Sequence, residues 1–205
     1  MNEAAIEYAR AMLESLGLDE TIDPELRGAP KRFSQLLYDL FSGVREEPPI
    51  LSTFPVEAIP VDPSQAAPQD AAQSGSSRLD PIILLNLPFR SMCVHHLVPM
   101  FGTIDVAYIP DDRIIGFGSV GRAIDYVVRR PQIQERIVVQ VAELLQKNLE
   151  PEGLLIRCRA RQMCMEMRGS QKEGVLVSSA SRGSLREGEL RDEVMRQFVA
   201  SDQAL

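Results

Sequence analysis

Both histidines of the chain lie in one hexapeptide, Ser91-Met92-Cys93-Val94-His95-His96, and a cysteine stands two residues before the first of them. Cys93 and His96 are spaced C-x2-H, so a tight bend brings a thiolate and an imidazole onto one cation. A third ligand has to arrive from elsewhere in the chain, and Cys164 is the best remote candidate. Three protein ligands with an open fourth position is the arrangement of catalytic zinc sites, where a water on the metal becomes acidic enough to attack near neutral pH. His95 is then free for proton transfer. Taken alone, the hexapeptide equally suits a buried thiol beside two ordinary histidines. Its context decides.

The chain has 205 residues, 44% apolar and 25% charged, which is enough for one substantial core, or a core with a small helical appendage. Three cysteines at these spacings do not suggest a disulfide scaffold and fit a reducing compartment with a metal or catalytic use. A net charge of -7 argues against broad nucleic-acid binding while leaving room for a local basic pocket. No apolar run is long enough to span a bilayer, and the N-terminus is not a secretory signal. The expectation is a cytoplasmic protein with neither a membrane nor a nucleic-acid partner.

The elements that must position the hexapeptide read as α+β. Helical spacing predicts a first helix over residues 3–16, with Gly17 after it, and a second from Lys31 to Phe41 led in by Ala29-Pro30. Residues 46–80 change in texture: seven of the fourteen prolines fall between Glu46 and Pro81, and Gln69 to Ser77 has no apolar residue larger than alanine. That stretch reads as a linker or mobile loop. Domain boundaries follow: an N-terminal helical region at 1–45, the proline-rich link at 46–80, and a catalytic domain at 81–205. Ile82 to Leu87, bounded by Pro81 and Pro88, reads as a short buried strand, and Gly102 to Ile109 alternates as a half-buried one. The cluster therefore sits between two strands. Gly116 to Gly121 lacks a P-loop lysine and reads as a turn before a helix. A further helix is expected from about Gln132 to Leu149, strands over Gly153 to Arg161 and Val175 to Ala180, and a last helix over Leu190 to Val199. Met163, Met165 and Met167 alternate as sheet packing would require.

With Cys93-x-His95-His96, Ala107-Tyr108-Ile109-Pro110, Arg130-Pro131-Gln132-Ile133-Gln134-Glu135-Arg136, Cys164-Met165 and Met167-Arg168-Gly169, the chain resembles type I GTP cyclohydrolases, in register from about Pro30 to Gly183. The resemblance implies a tunnelling fold, an antiparallel sheet backed by helices with an N-terminal helical extension. It also implies a homo-oligomer, a toroidal decamer with active sites between subunits. The implied chemistry is opening of the guanine imidazole ring of GTP at C8 by a zinc-activated water, then release of formate and closure to a pterin. On that pattern Cys93, His96 and Cys164 hold Zn2+, and His95 is the catalytic histidine beside the metal. Gln134 and Glu135 hold the guanine edge, and Arg32, Arg122 and Arg168 hold the triphosphate, with Ser119 in the same substrate-binding group.

The departures from the pattern are equally specific. Gln162 stands where the family has a second catalytic histidine, and a neutral amide cannot shuttle protons near pH 7. Val94 replaces a glutamate, Gly118-Ser119 replaces Ser-Lys, and Gln35 replaces a lysine facing the phosphates. The expected function is zinc-dependent opening of the guanine ring in GTP, or in a purine nucleotide or nucleoside with fewer phosphates, with a possible stop at the ring-opened formamidopyrimidine. The alternative is a catalytically impaired, zinc-braced oligomer that binds nucleotides or regulates an active subunit.

Overall fold

The computed structural model describes residues 3–56 and 79–202. Most of the stretch expected to be mobile, including Ser64–Ser77, lies outside the described residues. Two N-terminal helices come first, α1 (Glu3–Ser15) and α2 (Ala29–Leu40), and they pack on each other. Ser34 of α2 donates its hydroxyl to the Ala5 carbonyl at 3.0 Å. A short strand β1 (Thr53–Pro55) pairs with β4 (Arg113–Ile115), and Leu51 just before it is buried in the main core.

The main sheet has the order β5-β2-β3-β6-β7, formed by β2 (Ile82–Cys93), β3 (Pro99–Ile109), β5 (Pro131–Gln132), β6 (Gly153–Gln162) and β7 (Leu176–Gly183). Helices α3 (Phe117–Val128) and α4 (Gln134–Leu149) cover one face, and the C-terminal helix α6 (Glu189–Ala200) covers part of the other. This is an α+β tunnelling-fold architecture. Strand alternation divides the work. Ile104, Val106 and Tyr108 of β3, with Leu154, Ile156 and Cys158 of β6, join Val120, Ile124 and Val127 of α3 and Ile137, Val141 and Leu145 of α4 in the main core. Ala107, Ile109 and Leu155 face the other way onto Val194 and Phe198 of α6.

Four expectations need correction. The sheet is mixed, because the two-residue β5 runs parallel to the end of β2, pairing Met92 with Pro131 and Cys93 with Gln132. The strand expected to stop at Leu87 continues through Pro88 to Cys93. It can do so because β2 has β3 on one side but meets β5 only at Met92 and Cys93, so Pro88 sits on an open edge where no N–H is required. The glycine-rich turn is helical from Phe117, with Gly116 as its N-cap. The methionine stripe is not sheet: β6 ends at Gln162, and Met163–Glu166 form the short helix α5, with Met165 and Met167 exposed.

Candidate metal centre

The end of β2 and the start of β3 form a hairpin whose loop carries both histidines. Two backbone hydrogen bonds close it, Cys93 N–H to Val98 O at 2.9 Å and Leu97 N–H to Cys93 O at 2.8 Å. Leu97 is forced to φ 50°, a left-handed conformation that costs a non-glycine residue on the order of 1 kcal/mol. The strain sits one residue past His96. On the outer side of β2, Ser91 donates to the Val128 carbonyl at 2.7 Å, and Val94 N–H bonds Gln132 O at 2.9 Å. These bonds tie the hairpin to the stretch from Val128 to Gln132.

Cys164 arrives on α5. Arg161 at the end of β6 reaches over to Glu166, donating from Nε at 3.0 Å and also from Nη2. Those hydrogen bonds, and then the charge of Arg161, hold the Glu166 carboxyl below the usual range. The result is that ligand atoms of Cys93, His96 and Cys164 all lie within 4.8 Å of one another, the one such grouping among the described residues. Cys93 is buried, Cys164 half-buried and His96 exposed, so the group opens to solvent on the histidine side. Burial, followed by the hydrogen bond and charge of Cys93, pushes the Cys164 thiol up. The thiolate of Cys164 is thus disfavoured, and a divalent cation held by the group would reverse that penalty. Two sulfurs and an imidazole nitrogen are the donor set that zinc prefers, so the residues fit the metal.

The third cysteine behaves differently. Cys158 is fully buried in the core, and burial, with lesser effects from the Asp105 and Glu135 charges, pushes its thiol far up. It is an inert packing thiol.

His95 is exposed on the same loop, with its ring edge-on to His96 at 6.3 Å between centroids. Gln162 is buried beside the group and donates Nε2 to Gln134 Oε1 at 2.8 Å, with Met100 Sδ at 3.9 Å. Gln134 is itself only 2% exposed, and its Nε2 donates to the carbonyls of Cys158 at 3.0 Å and Leu176 at 2.9 Å. Both of its N–H donors are therefore used inside the protein. Glu135, next in the chain, is exposed in the first turn of α4.

The residues expected at the phosphate end are dispersed. Arg32 is exposed on α2 and donates to Arg27 O at 2.8 Å. Arg122 is exposed on α3 and donates to Ser119 Oγ at 2.8 Å. Ser119 is buried and also accepts the Ser52 N–H at 2.9 Å, so its hydroxyl fastens the segment before β1 to α3. Arg168 is exposed beyond α5. The chain forms the Cys/His/Cys group and, through Gln162 two residues before Cys164, the glutamine pair, and leaves the arginines on separate elements.

One residue escaped the sequence reading. Gln132, 1% exposed, donates to Val127 O at 2.8 Å and accepts from Arg136 Nε at 2.6 Å, which braces the strand beside Cys93. Its signal was slight: an amide two residues before another, just ahead of a helix start.

Among solved structures, the apo archaeosine synthase QueF-Like overlaps 50% of this chain and 94% of its own at 15% identity, with a TM-score of 0.42. Sequence comparison is far closer. The chain is similar to GTP cyclohydrolase 1 of Geobacillus kaustophilus, 37% identical over 187 residues covering 89% of each protein. It is similar to GTP cyclohydrolase 1 of Streptococcus suis at 35% over 192 residues, covering 93% of this chain and 90% of that one. The family profile for GTP cyclohydrolase I matches residues 5–199, and the chain belongs to that family.

Proposed function

We propose that the chain is a zinc-dependent hydrolase that opens the imidazole ring of guanine in GTP or in a related purine compound with fewer phosphates. The observation that carries this reading is the convergence of Cys93, His96 and Cys164 from two separate elements, with His95 on the same loop. When bound, zinc supplies a Lewis acid that makes water nucleophilic near neutral pH.

The chain's own groups supply the rest. His95, exposed on the same loop, gives a proton to the departing ring nitrogen as its bond to C8 breaks, a role worth about a hundred- to ten-thousandfold. Glu135 offers a carboxylate to the amidine edge of the base. Arg32, Arg122 and Arg168 are the guanidinium groups available to phosphate oxygens. The family resemblance takes the working form as a cytoplasmic homo-oligomer, a decamer with sites between subunits, in which arginines scattered over one chain would meet at a shared site.

A second reading has an observation of its own. The Gln162 amide, held by Gln134, has no exchangeable acid proton near pH 7, so a proton-transfer position is lost. That favours either a reaction halted at the ring-opened stage or a zinc-braced binding and regulatory oligomer. Incubating the zinc-loaded protein with GTP, GMP, guanosine and guanine, with products read by mass spectrometry, separates these readings. Formate with a pterin product supports complete turnover; a product heavier by one water supports a halted ring opening. Unchanged compounds in all four reactions, with zinc still bound, would overturn the enzymatic reading.

A further inference from the structure

Gln134 sits where three element ends meet. It is the first residue of α4; Gln162, which donates to its Oε1, is the last residue of β6; and Leu176, whose carbonyl accepts from its Nε2, is the first residue of β7. Between Gln162 and Leu176 runs the segment 163–175, which carries Cys164 on α5 and Arg168 after it. One side chain therefore grips both ends of the segment that delivers the third candidate metal ligand. Its remaining bond, to Cys158 O, anchors that grip to the interior of β6.

The orientation of the grip is forced. Two backbone carbonyls facing Gln134 accept only, so its Nε2 must point at them and its Oε1 at Gln162. Gln162 must then turn Nε2 toward Gln134. Neither amide can flip without placing two acceptors in contact inside the protein, where an unmatched polar group is costly.

We propose that Gln134 and Gln162 form a clip that closes the 163–175 segment and thereby sets how tightly Cys164 joins the metal group. Gln134 is a positioning residue in this role. The clip rests on the zinc reading for its effect on metal, but its effect on the segment stands without metal.

The experiment uses the full-length protein in three variants, Gln134→Leu, Gln162→Met and Gln162→His. Two quantities are measured: zinc affinity by competition with a chromogenic chelator, and amide hydrogen exchange of 163–175 in the metal-free protein. Gln134→Leu releases both ends, and its zinc dissociation constant is expected to rise about 10- to 100-fold, the range seen when groups supporting a ligand are removed. Gln162→Met keeps the shape and releases one end, giving a smaller rise. Gln162→His restores an N–H toward Gln134 and is expected to recover most of the affinity. Exchange in 163–175 follows the same order, while exchange in α3 stays unchanged.

Wild-type affinity and exchange in Gln134→Leu would overturn the clip. If that variant does not fold, Gln162→Met decides on the same terms. A wild-type protein that binds no zinc would sink the metal reading, and the exchange contrast would still support or overturn the clip. A loss of protection spread evenly over the sheet, with no excess in 163–175, would also count against it.

Discussion

Two polar clusters lie on opposite faces of one sheet, and they are built from different chemistry. On the α6 face, Arg157 donates to Asp105 Oδ2 from Nε at 2.9 Å and from Nη2 at 2.7 Å, and to Phe198 O at 2.7 Å. It also meets Asp202, which Arg159 reaches at 3.2 Å. Asp105 uses its other oxygen on the Asn86 N–H at 2.8 Å, and Asn86 passes its own amide to Ser201 O at 3.0 Å. Two arginines balance two aspartates. On the α4 face the polar groups are neutral amides, thiols and an imidazole. The ionic cluster is closed, with its charges answered internally, and it fastens the end of α6. The other has its amides satisfied and gathers two thiols and an imidazole at one point. Paired charges make the first a fastener, and soft donor atoms gathered at one point make the second a candidate metal site.

The largest expected effects fall on the Cys/His/Cys cluster. Cys164→Ala removes one of three candidate ligands and is expected to abolish stoichiometric zinc and any turnover of the purine, while the metal-free melting temperature stays close to wild type because Cys164 is only half-buried. His95→Ala separates binding from proton transfer: zinc is retained and kcat falls about a hundred- to ten-thousandfold. Metal analysis beside a turnover assay checks both. Retained turnover in either variant would break the contrast.

The ionic cluster should respond in the opposite way. Arg157→Leu leaves Asp105 charged and enclosed, and is expected to cost about 3–5 kcal/mol of stability in denaturant titration with zinc content per folded molecule unchanged. Removing both partners, as Arg157→Leu with Asp105→Leu, should recover a large part of that loss, because no lone charge then remains in the interior. A double variant as unstable as the single would mean that the bonds to Phe198 and Asp202, and not charge compensation, dominate.

The third contrast is among cysteines. In the metal-free protein the half-buried Cys164 is expected to react with iodoacetamide ahead of the enclosed Cys93, and Cys158 to stay unmodified until the protein unfolds, since burial holds its thiol protonated. Added zinc should slow the labelling of Cys164 and leave Cys158 as it was. Peptide mass spectrometry reads all three at once, and early labelling of Cys158 would overturn its assignment as inert.

The sequence showed some of these features and hid others, for physical reasons. Helices α1, α2, α4 and α6 were legible because their apolar residues recur at helical spacing, and β3 and β6 because theirs alternate. The full length of β2 was not, since Pro88 is a break in most strands and only its place on an open edge, visible in the sheet order, permits it. Gly118 and Gly121 hid the start of α3, which forms because Val120, Ala123, Ile124 and Val127 bury one face. The Cys/His/Cys group was readable as residue types plus one local spacing. Gln134 was not readable as a grip on 163–175, because its partners lie 24, 28 and 42 positions away. Long-range polar satisfaction leaves no periodic trace in a sequence.

The smallest expected effect is a pH response at the rim of the candidate centre. Arg161 holds the Glu166 carboxyl below its ordinary value of 4.5, chiefly through its hydrogen bonds and then through its charge. A depressed folded value means the pair supports α5 fully at pH above the ordinary glutamate range, and that support is lost as pH falls through the lowered folded value. Protection of the α5 amides, corrected for intrinsic exchange, should therefore stay flat from neutral pH down through about pH 5 and decline only in more acid solution. In Arg161→Gln the protection should be lower already at neutral pH and its acid decline should move up toward the ordinary value. The change should be modest because Arg161 is partly in solvent, where an ion pair contributes little, in contrast to the enclosed Arg157. A decline in the wild type that begins above pH 5 would show that Glu166 does not carry the response.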